Sequence, residues 1–152
     1  MTDSTVPPEI AFTTSAICVV DDATLASIRE AAHASPRKRA RLCLHSELSS
    51  PLHNMIIVLL RGTEVAIHRH PRKPECYHVM SGLMTLIVFD ADGRNPRRIP
   101  LGPFGSGRSP VCRIPAGVWH SVDIETDEVV LHESTIGPYS PADTEYFSEP
   151  LS

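Results

Sequence analysis

Several features are missing from this 152-residue sequence, and their absence excludes whole classes of protein. No run approaches the ~20 apolar residues that a membrane-spanning helix needs, so we expect no membrane partner. The four cysteines include no C-x-x-C pair, which argues against a zinc ribbon or a thioredoxin-like redox site. The first residues, MTDSTVPPEIAF, are acidic and lack the pattern of a secretory signal. The expected location is therefore the cytoplasm, where a disulfide framework is not expected.

An excess of basic residues is also lacking. The 14 Lys and Arg residues are outnumbered by 18 Asp and Glu, which gives a net charge of −4, whereas a nucleic-acid binder normally has a strong basic excess. The one basic run, residues 37–41, is short and contains no aromatic residue that could stack on bases. We interpret it as the solvated or anion-facing start of a strand and expect no nucleic-acid partner.

Two residue types are abundant instead: there are 14 prolines and 8 histidines. The prolines disfavour long helices and suit short strands joined by turns. One helix is predicted over residues 22–34, because Asp21 or Asp22 can cap its start and Pro36 ends it. Its apolar residues recur at helical spacing, at Leu25, Ile28 and Ala32.

From residue 41 onward the pattern changes to short apolar or alternating runs separated by turn residues. Short strands at this regular spacing predict a small all-β sandwich or barrel. The runs are RLCLH, NMIIVLL, EVAIH, ECYHVM, LMTLIVFD, RRIP, SPVCRI, WHSVDI and EVVLHEST. We divide the single domain into residues 1–45 (a loose arm over 1–16, the helix and the basic segment), a barrel over 46–136, and a tail over 137–152 that packs on the barrel and has no strand or helix pattern.

The chemistry is concentrated in residues 62–82. His68 and His70 are two positions apart, so in a strand both imidazoles point to the same side. After a four-residue turn, Glu75 opens the next strand and can return beside them on an adjacent antiparallel strand. Two imidazoles and a carboxylate provide three ligands for a divalent metal ion. A fourth candidate is His120, which follows a Pro-x-Gly turn at residues 115–117.

This pattern resembles the cupin family. The first cupin motif is matched at every position, by Gly62, His68, His70, Glu75 and Gly82, and the two glycines fall where tight turns need a positive φ. The second motif is matched by Pro115, Gly117 and His120, whereas Ser109 and Ile124 replace its first glycine and its final asparagine. The resemblance implies a jelly-roll (double-stranded β-helix) barrel with a metal ion inside.

A narrower resemblance, to the WbuC-type cupins of bacteria, covers almost the whole chain. It is based on the short N-terminal helix, SPRKRARLCLH at 35–45, HRH at 68–70, PAGVWH at 115–120 and ESTIGPY at 133–139. The reaction of such proteins is poorly defined, so the resemblance implies the fold and a bound metal ion but does not identify a reaction.

Carried over position by position, the metal ligands are His68, His70, Glu75 and His120. With one divalent ion the centre has a net charge of about +1 and, in six-coordination, two open positions. The ligand types suit iron, zinc, manganese, nickel or copper without choosing among them. The other five histidines, including His45 and His78, are left outside the site.

Two functions follow from such a centre. The first is an enzyme that acts on a small polar metabolite (a sugar, hydroxy acid or keto acid) by Lewis-acid isomerase-type chemistry or by dioxygenation. Its candidate catalytic residues are Tyr77, Glu133 and Tyr139, although Tyr77 also suits a core position and Glu133 a pairing with Arg41. The second is a non-catalytic module that binds or senses a small ligand such as a sugar. Small cupins commonly pair, so a homodimer is expected.

Overall fold

The computed structural model describes residues 8–148, and strands dominate its backbone. Within these residues there are eleven strands, one α-helix and a short 3-10 turn at Pro141–Asp143. In chain order the elements are β1 (Ile10–Phe12), α1 (Asp22–Ala34), β2 (Arg39–Cys43), β3 (Leu52–Leu60), β4 (His68–Arg69), β5 (Glu75–Ser81), β6 (Met84–Val88), β7 (Arg97–Leu101), β8 (Val111–Ile114), β9 (His120–Ile124), β10 (Glu128–Ile136) and β11 (Glu145–Tyr146).

The strands form two sheets that share one core. The first sheet has the order β1-β2-β3-β10-β5-β8 and the second has the order β11-β4-β9-β6-β7. Apart from the parallel pair of β1 and β2, the strand pairs are antiparallel. The core contains inward side chains of both sheets, among them Val79, Met84, Leu101 and Val129, which are fully buried. The predicted all-β fold with one N-terminal helix is confirmed.

The helix covers the outer face of the first sheet. Asp21 caps it, since its Oδ1 accepts a hydrogen bond of 2.9 Å from the Thr24 amide. Ile28 and Ala32 are buried in a second apolar cluster that includes Val58 of β3. The helix lies over 22–34 as predicted. Among the described residues no helix has the length and apolarity needed to cross a bilayer.

Three local predictions are wrong. Residues 10–12 pair with β2, so the arm predicted over 1–16 contains a strand, and residues 1–7 lie outside the described part. The EVAIH run is not a strand before His68. The tail predicted without regular structure contains a 3-10 turn and β11, which pairs with β4. Pairing with a neighbouring strand stabilises β1 and β11, a tertiary contact that their short sequences do not reveal.

Two features require a glycine at position 82: a positive backbone φ and the lack of space for a Cβ atom. Both Gly62 and Gly82 have a positive φ, +82° and +79°, as their motif positions predicted. A Cβ on Gly82 would also collide with the Glu128 carbonyl oxygen. Gly105 has a similar φ of +86° but open space around it.

We expect Gly82→Ala to lower the free energy of unfolding by about 3 kcal/mol and Gly105→Ala by about 1 kcal/mol. Both variants force an L-residue into the left-handed region, but only the first adds a backbone collision. Urea unfolding, followed by the fluorescence of the single tryptophan, measures both values. Equal losses in the two variants would contradict the collision.

Candidate metal centre

The four predicted ligands converge between the two sheets. His68 on β4 is directly opposite His120 on β9, so both imidazoles point to the same face, with ring centroids 4.3 Å apart. His70 follows β4 directly, and Glu75 begins β5 in the other sheet. One nitrogen or carboxylate oxygen from each of the four residues lies within 4.8 Å of the others.

Glu75 approaches from a different direction than expected. The expectation that it lies on a strand adjacent to the histidine strand is wrong, because β4 lies between β11 and β9 while β5 lies between β10 and β8 in the opposite sheet. Residues 71–74, PRKP, cross from one sheet to the other instead of forming a hairpin, and their two prolines cannot donate backbone hydrogen bonds to a ladder. The carboxylate therefore faces the imidazoles across the interior.

The Glu75 carboxylate contacts two of the three imidazoles. Its Oε1 lies 3.1 Å from His70 Nε2, and its Oε2 lies 3.0 Å from His120 Nε2. Glu75 and His120 are buried, whereas His68 and His70 are half-buried. One side of the centre is therefore closed by protein and the other is open to a ligand.

Backbone carbonyls set the tautomer of each imidazole. A carbonyl oxygen only accepts, so the ring nitrogen facing it carries the proton and the other nitrogen keeps its lone pair. In all three histidines the nitrogen facing a carbonyl is Nδ1, and the Nε2 lone pairs are left for the centre. The pairs are His68 with Ala66 (2.9 Å), His70 with Asp143 (3.0 Å) and His120 with Val118 (2.9 Å).

These residues fit a divalent metal ion. With its Nδ1 proton directed at the Val118 carbonyl, His120 Nε2 is a buried nitrogen that makes no hydrogen bond with the described residues, and it faces Glu75 Oε2 across 3.0 Å as one acceptor against another. A buried polar atom left unpaired costs about 1–3 kcal/mol, and a cation at the centre would remove that cost. Three imidazole nitrogens and a carboxylate, oriented by carbonyls behind them, are typical of metal sites.

The charges of the centre favour an ionised carboxylate. Burial raises the pKa of Glu75, but His120 and His70 outweigh burial and hold that pKa well below its usual range. Burial lowers the pKa of His68, helped by His120. Burial also lowers the pKa of His70, but Glu75 outweighs it and the net pKa is raised. Glu75 is thus ready to bind a cation at neutral pH, and His68 remains neutral.

Two of the three predicted catalytic residues lie beside Glu75. The buried Tyr77 hydroxyl is 3.5 Å from Glu75 Oε2, and burial raises the pKa of Tyr77. Glu133 is opposite Tyr77 in the β10–β5 pair. Burial, and then the negative charge of Glu75, raise the pKa of Glu133 to about 8, against the positive charge of Arg41. Among the described residues no ion pair within 4.0 Å joins Glu133 to Arg41.

Among the described residues no hydrogen bond joins the third predicted catalytic residue, Tyr139, to a ligand of the centre. Tyr139 is half exposed, and its amide donates to the Leu48 carbonyl at 2.8 Å. His78 and His132 are paired in register at the β10–β5 ladder and lie outside the centre, as predicted. His45 is also outside, stacked on His53 with ring centroids 3.9 Å apart.

The closing segment, residues 140–147, lies within the tail predicted to pack on the barrel, but its contacts with the centre were not predicted. Its Asp143 carbonyl and Thr144 hydroxyl contact His70 Nδ1 at 3.0 and 3.2 Å. The Asp143 carboxylate pairs with Lys73, and Glu145 pairs with Arg69 at 2.7 Å. The sequence does contain a signal for these ion pairs, because the segment HRHPRK is basic and the C-terminal end is acidic.

Comparison with known proteins identifies a family and a fold. A family model described as a domain of unknown function (DUF6016) matches residues 20–101, a segment that includes three of the four ligands. No curated protein matches the sequence significantly.

Solved structures with the cupin fold are similar to this chain. Protein SO0799 from Shewanella oneidensis is 20 % identical with a TM-score of 0.54, over 66 % of this chain and 64 % of that one. The capsular polysaccharide assembling protein CapF from Staphylococcus aureus is 19 % identical with a TM-score of 0.55, over 64 % of this chain and 27 % of that one. Oxalate decarboxylase from Bacillus subtilis is 17 % identical with a TM-score of 0.55, over 71 % and 27 %. The chain thus spans less than two thirds of each, and the likeness establishes the cupin fold.

We expect His120→Ala to weaken the binding of Zn²⁺ or Co²⁺ by more than about 100-fold, because it removes a ligand and opens the buried side of the centre. Glu75→Gln, which keeps the shape but loses the charge, should weaken binding less. Equilibrium dialysis of chelator-treated protein, with metal analysis, measures both. His78→Ala is the matched control, since it removes an imidazole outside the centre and should bind like wild type. Unchanged binding in His120→Ala would refute the ligand assignment.

Proposed function

The chain belongs to the family described as a domain of unknown function (DUF6016), and we propose that it is a metal-dependent enzyme that isomerises a small polar metabolite, a sugar or a hydroxy or keto acid. One observation carries the proposal: a protonatable pair, Glu133 and Tyr77, stands beside a four-ligand centre in the interior of a cupin barrel.

His68, His70, Glu75 and His120 would hold the metal. A bound divalent ion would supply Lewis-acid polarisation of a substrate carbonyl group. Four protein ligands leave room for substrate oxygens, and one carboxylate leaves the centre with a net charge of about +1. That charge favours a substrate with an electron-rich pair of oxygens.

Glu133 is the proposed general base. It takes the proton from the hydroxyl-bearing carbon beside the carbonyl group and returns it to the former carbonyl carbon, so the hydroxyl and carbonyl groups exchange places and no oxidant is needed. A cation at the centre offsets the charge of Glu75, which leaves burial as the main cause that keeps the pKa of Glu133 raised. A base with a raised pKa both accepts and releases a proton near neutral pH.

Tyr77 is the proposed proton carrier between the two substrate oxygens. Its raised pKa keeps the hydroxyl neutral, so it donates one proton and accepts another. The surrounding apolar core, with Met84 and Leu86 on the facing sheet, keeps bulk water from the reacting carbon. The role of Tyr139 stays a prediction, as do the WbuC-type assignment and the homodimer.

We expect metal-loaded protein in D₂O to incorporate deuterium at the carbon beside the carbonyl of at least one member of a panel of sugars, sugar phosphates, hydroxy acids and keto acids. Proton NMR detects the exchange. Glu133→Gln should lower the exchange rate at least about 100-fold while it retains the metal, because general base catalysis contributes about 10²–10⁴-fold. The matched control is His132→Gln, which changes the residue before Glu133 on β10 and should keep the wild-type exchange rate.

The pH profile distinguishes a base from a structural role. In the wild type the exchange rate should rise with pH, with a midpoint above the ordinary Glu value of about 4.3, because the deprotonated form is the base. Binding without exchange across the whole panel would favour the non-catalytic module. Wild-type exchange in Glu133→Gln would remove Glu133 from the mechanism.

A further inference from the structure

A row of opposed residues in the second sheet connects the ligands with a charged side chain, Arg97. In the second sheet His68 is opposite His120, His120 is opposite Val88, and Val88 is opposite Arg97. Directly opposed residues point to the same face, so all four side chains of this row emerge on the inner face. Neighbouring strands are about 4.8 Å apart, which places Arg97 about 10 Å from His120 along the row.

Arg97 lies on the wall of a cavity of about 460 Å³ between the edge strands β7 and β8. The cavity floor is apolar and reaches residues that are opposite the ligands: Ile114 is opposite Glu75, and Val88 is opposite His120. Burial raises the pKa of Cys112 to about 11, so this wall residue is uncharged at neutral pH. The principal apolar lining residues are Leu86, Val88, Ile99, Cys112, Ile114 and Val118.

The guanidinium of Arg97 is free for a ligand within the described part of the chain. No ion pair within 4.0 Å joins it to a carboxylate of residues 8–148, whereas its neighbour Arg98, on the outer face, pairs with Asp123 at 2.8 Å. The carboxylate on the same cavity wall, Asp90, accepts a hydrogen bond of 2.7 Å from Asn95. Arg97 is exposed at the wall of a mainly apolar cavity that Arg113 also lines, and an arginine in this position suits the recognition of an oxyanion.

We propose that Arg97 binds a carboxylate or phosphate group of the substrate, at the end of the molecule away from the metal. The proposal is based on the proposed function and narrows its substrate class. The substrate has metal-binding oxygens at one end, a short carbon chain that lies against Val88 and Leu86, and an oxyanion at the other end. Arg97 is thus a specificity-determining residue, since the metal-binding end alone would not distinguish charged from uncharged molecules.

The test compares three probes that share the 2-hydroxy acid end. They are 2-hydroxypentanoate, which has no distal charge, 2-hydroxyglutarate, which has a distal carboxylate, and 2-hydroxy-4-phosphonobutyrate, which has a distal phosphonate. Titration calorimetry with Zn²⁺-loaded protein measures the three dissociation constants. We expect the wild type to bind at least one charged probe about tenfold more tightly than 2-hydroxypentanoate, and the tighter of the two shows whether carboxylate or phosphate is preferred.

Arg97→Gln should reduce that preference to within about twofold and leave the affinity for 2-hydroxypentanoate unchanged. Arg98→Gln also removes one positive charge from β7, but on the outer face, and should keep the preference for the charged probe. A preference that persists in Arg97→Gln, or a wild type that binds no charged probe more tightly than the uncharged one, overturns the proposal. Metal analysis of each variant separates this result from a loss of the centre. Charged-probe preference in the wild type, together with no deuterium exchange across the panel of metabolites, would support the Arg97 subsite and count against catalysis.

Discussion

The contact between the Glu75 carboxylate and the imidazoles of His70 and His120 is the interaction on which the site depends. This contact joins the two sheets across the interior. Glu75 begins β5 of the first sheet, whereas His120 begins β9 of the second sheet and His70 directly follows β4 of that sheet. A buried carboxylate is costly unless charges or hydrogen bonds compensate it, and a divalent cation held by Glu75 and the imidazoles would provide that compensation. Without a cation, His120 Nε2 and Glu75 Oε2 face each other as two acceptors, so a bound metal ion would stabilise this arrangement of the two sheets.

The carbonyl groups behind the ligands come from nearby backbone for two histidines and from a distant segment for the third. Ala66 and Val118 lie two residues before the histidines they orient, so those contacts are set by local backbone. The partner of His70, Asp143, is 73 residues away and arrives with the closing segment. Lys73 and Arg69 fix that segment through ion pairs, and Arg69 also lies over the Trp119 ring at 4.4 Å. The orientation of one ligand therefore depends on how the C-terminal end is docked.

Much of the fold and the grouping of His68, His70, Glu75 and His120 could be predicted from the sequence, because their signals are local. The helix is marked by its cap and its proline stop, and the ligands by the spacing of HRH, Glu75 and PAGVWH. The sheet that holds Glu75 was mispredicted, since a four-residue turn with two prolines can form a hairpin or cross between sheets, and long-range pairing decides which. β1, β11 and the contacts of Asp143 depend on pairing with distant segments for the same reason. Arg97 was not predicted as a site residue, because its position relative to His120 depends on the register of β9, β6 and β7.

X-ray absorption spectroscopy of the Zn²⁺-loaded protein tests the central claim most directly, because it reports the atoms bound to the metal. The account predicts a first shell of nitrogen and oxygen atoms at about 2.0–2.2 Å, with the outer-shell scattering of three imidazole rings, which falls to two rings in His120→Ala. Sulfur at about 2.3 Å would place the metal on cysteines such as Cys76 or Cys112. That result, or a shell without imidazole, would contradict a centre built from three histidines and Glu75.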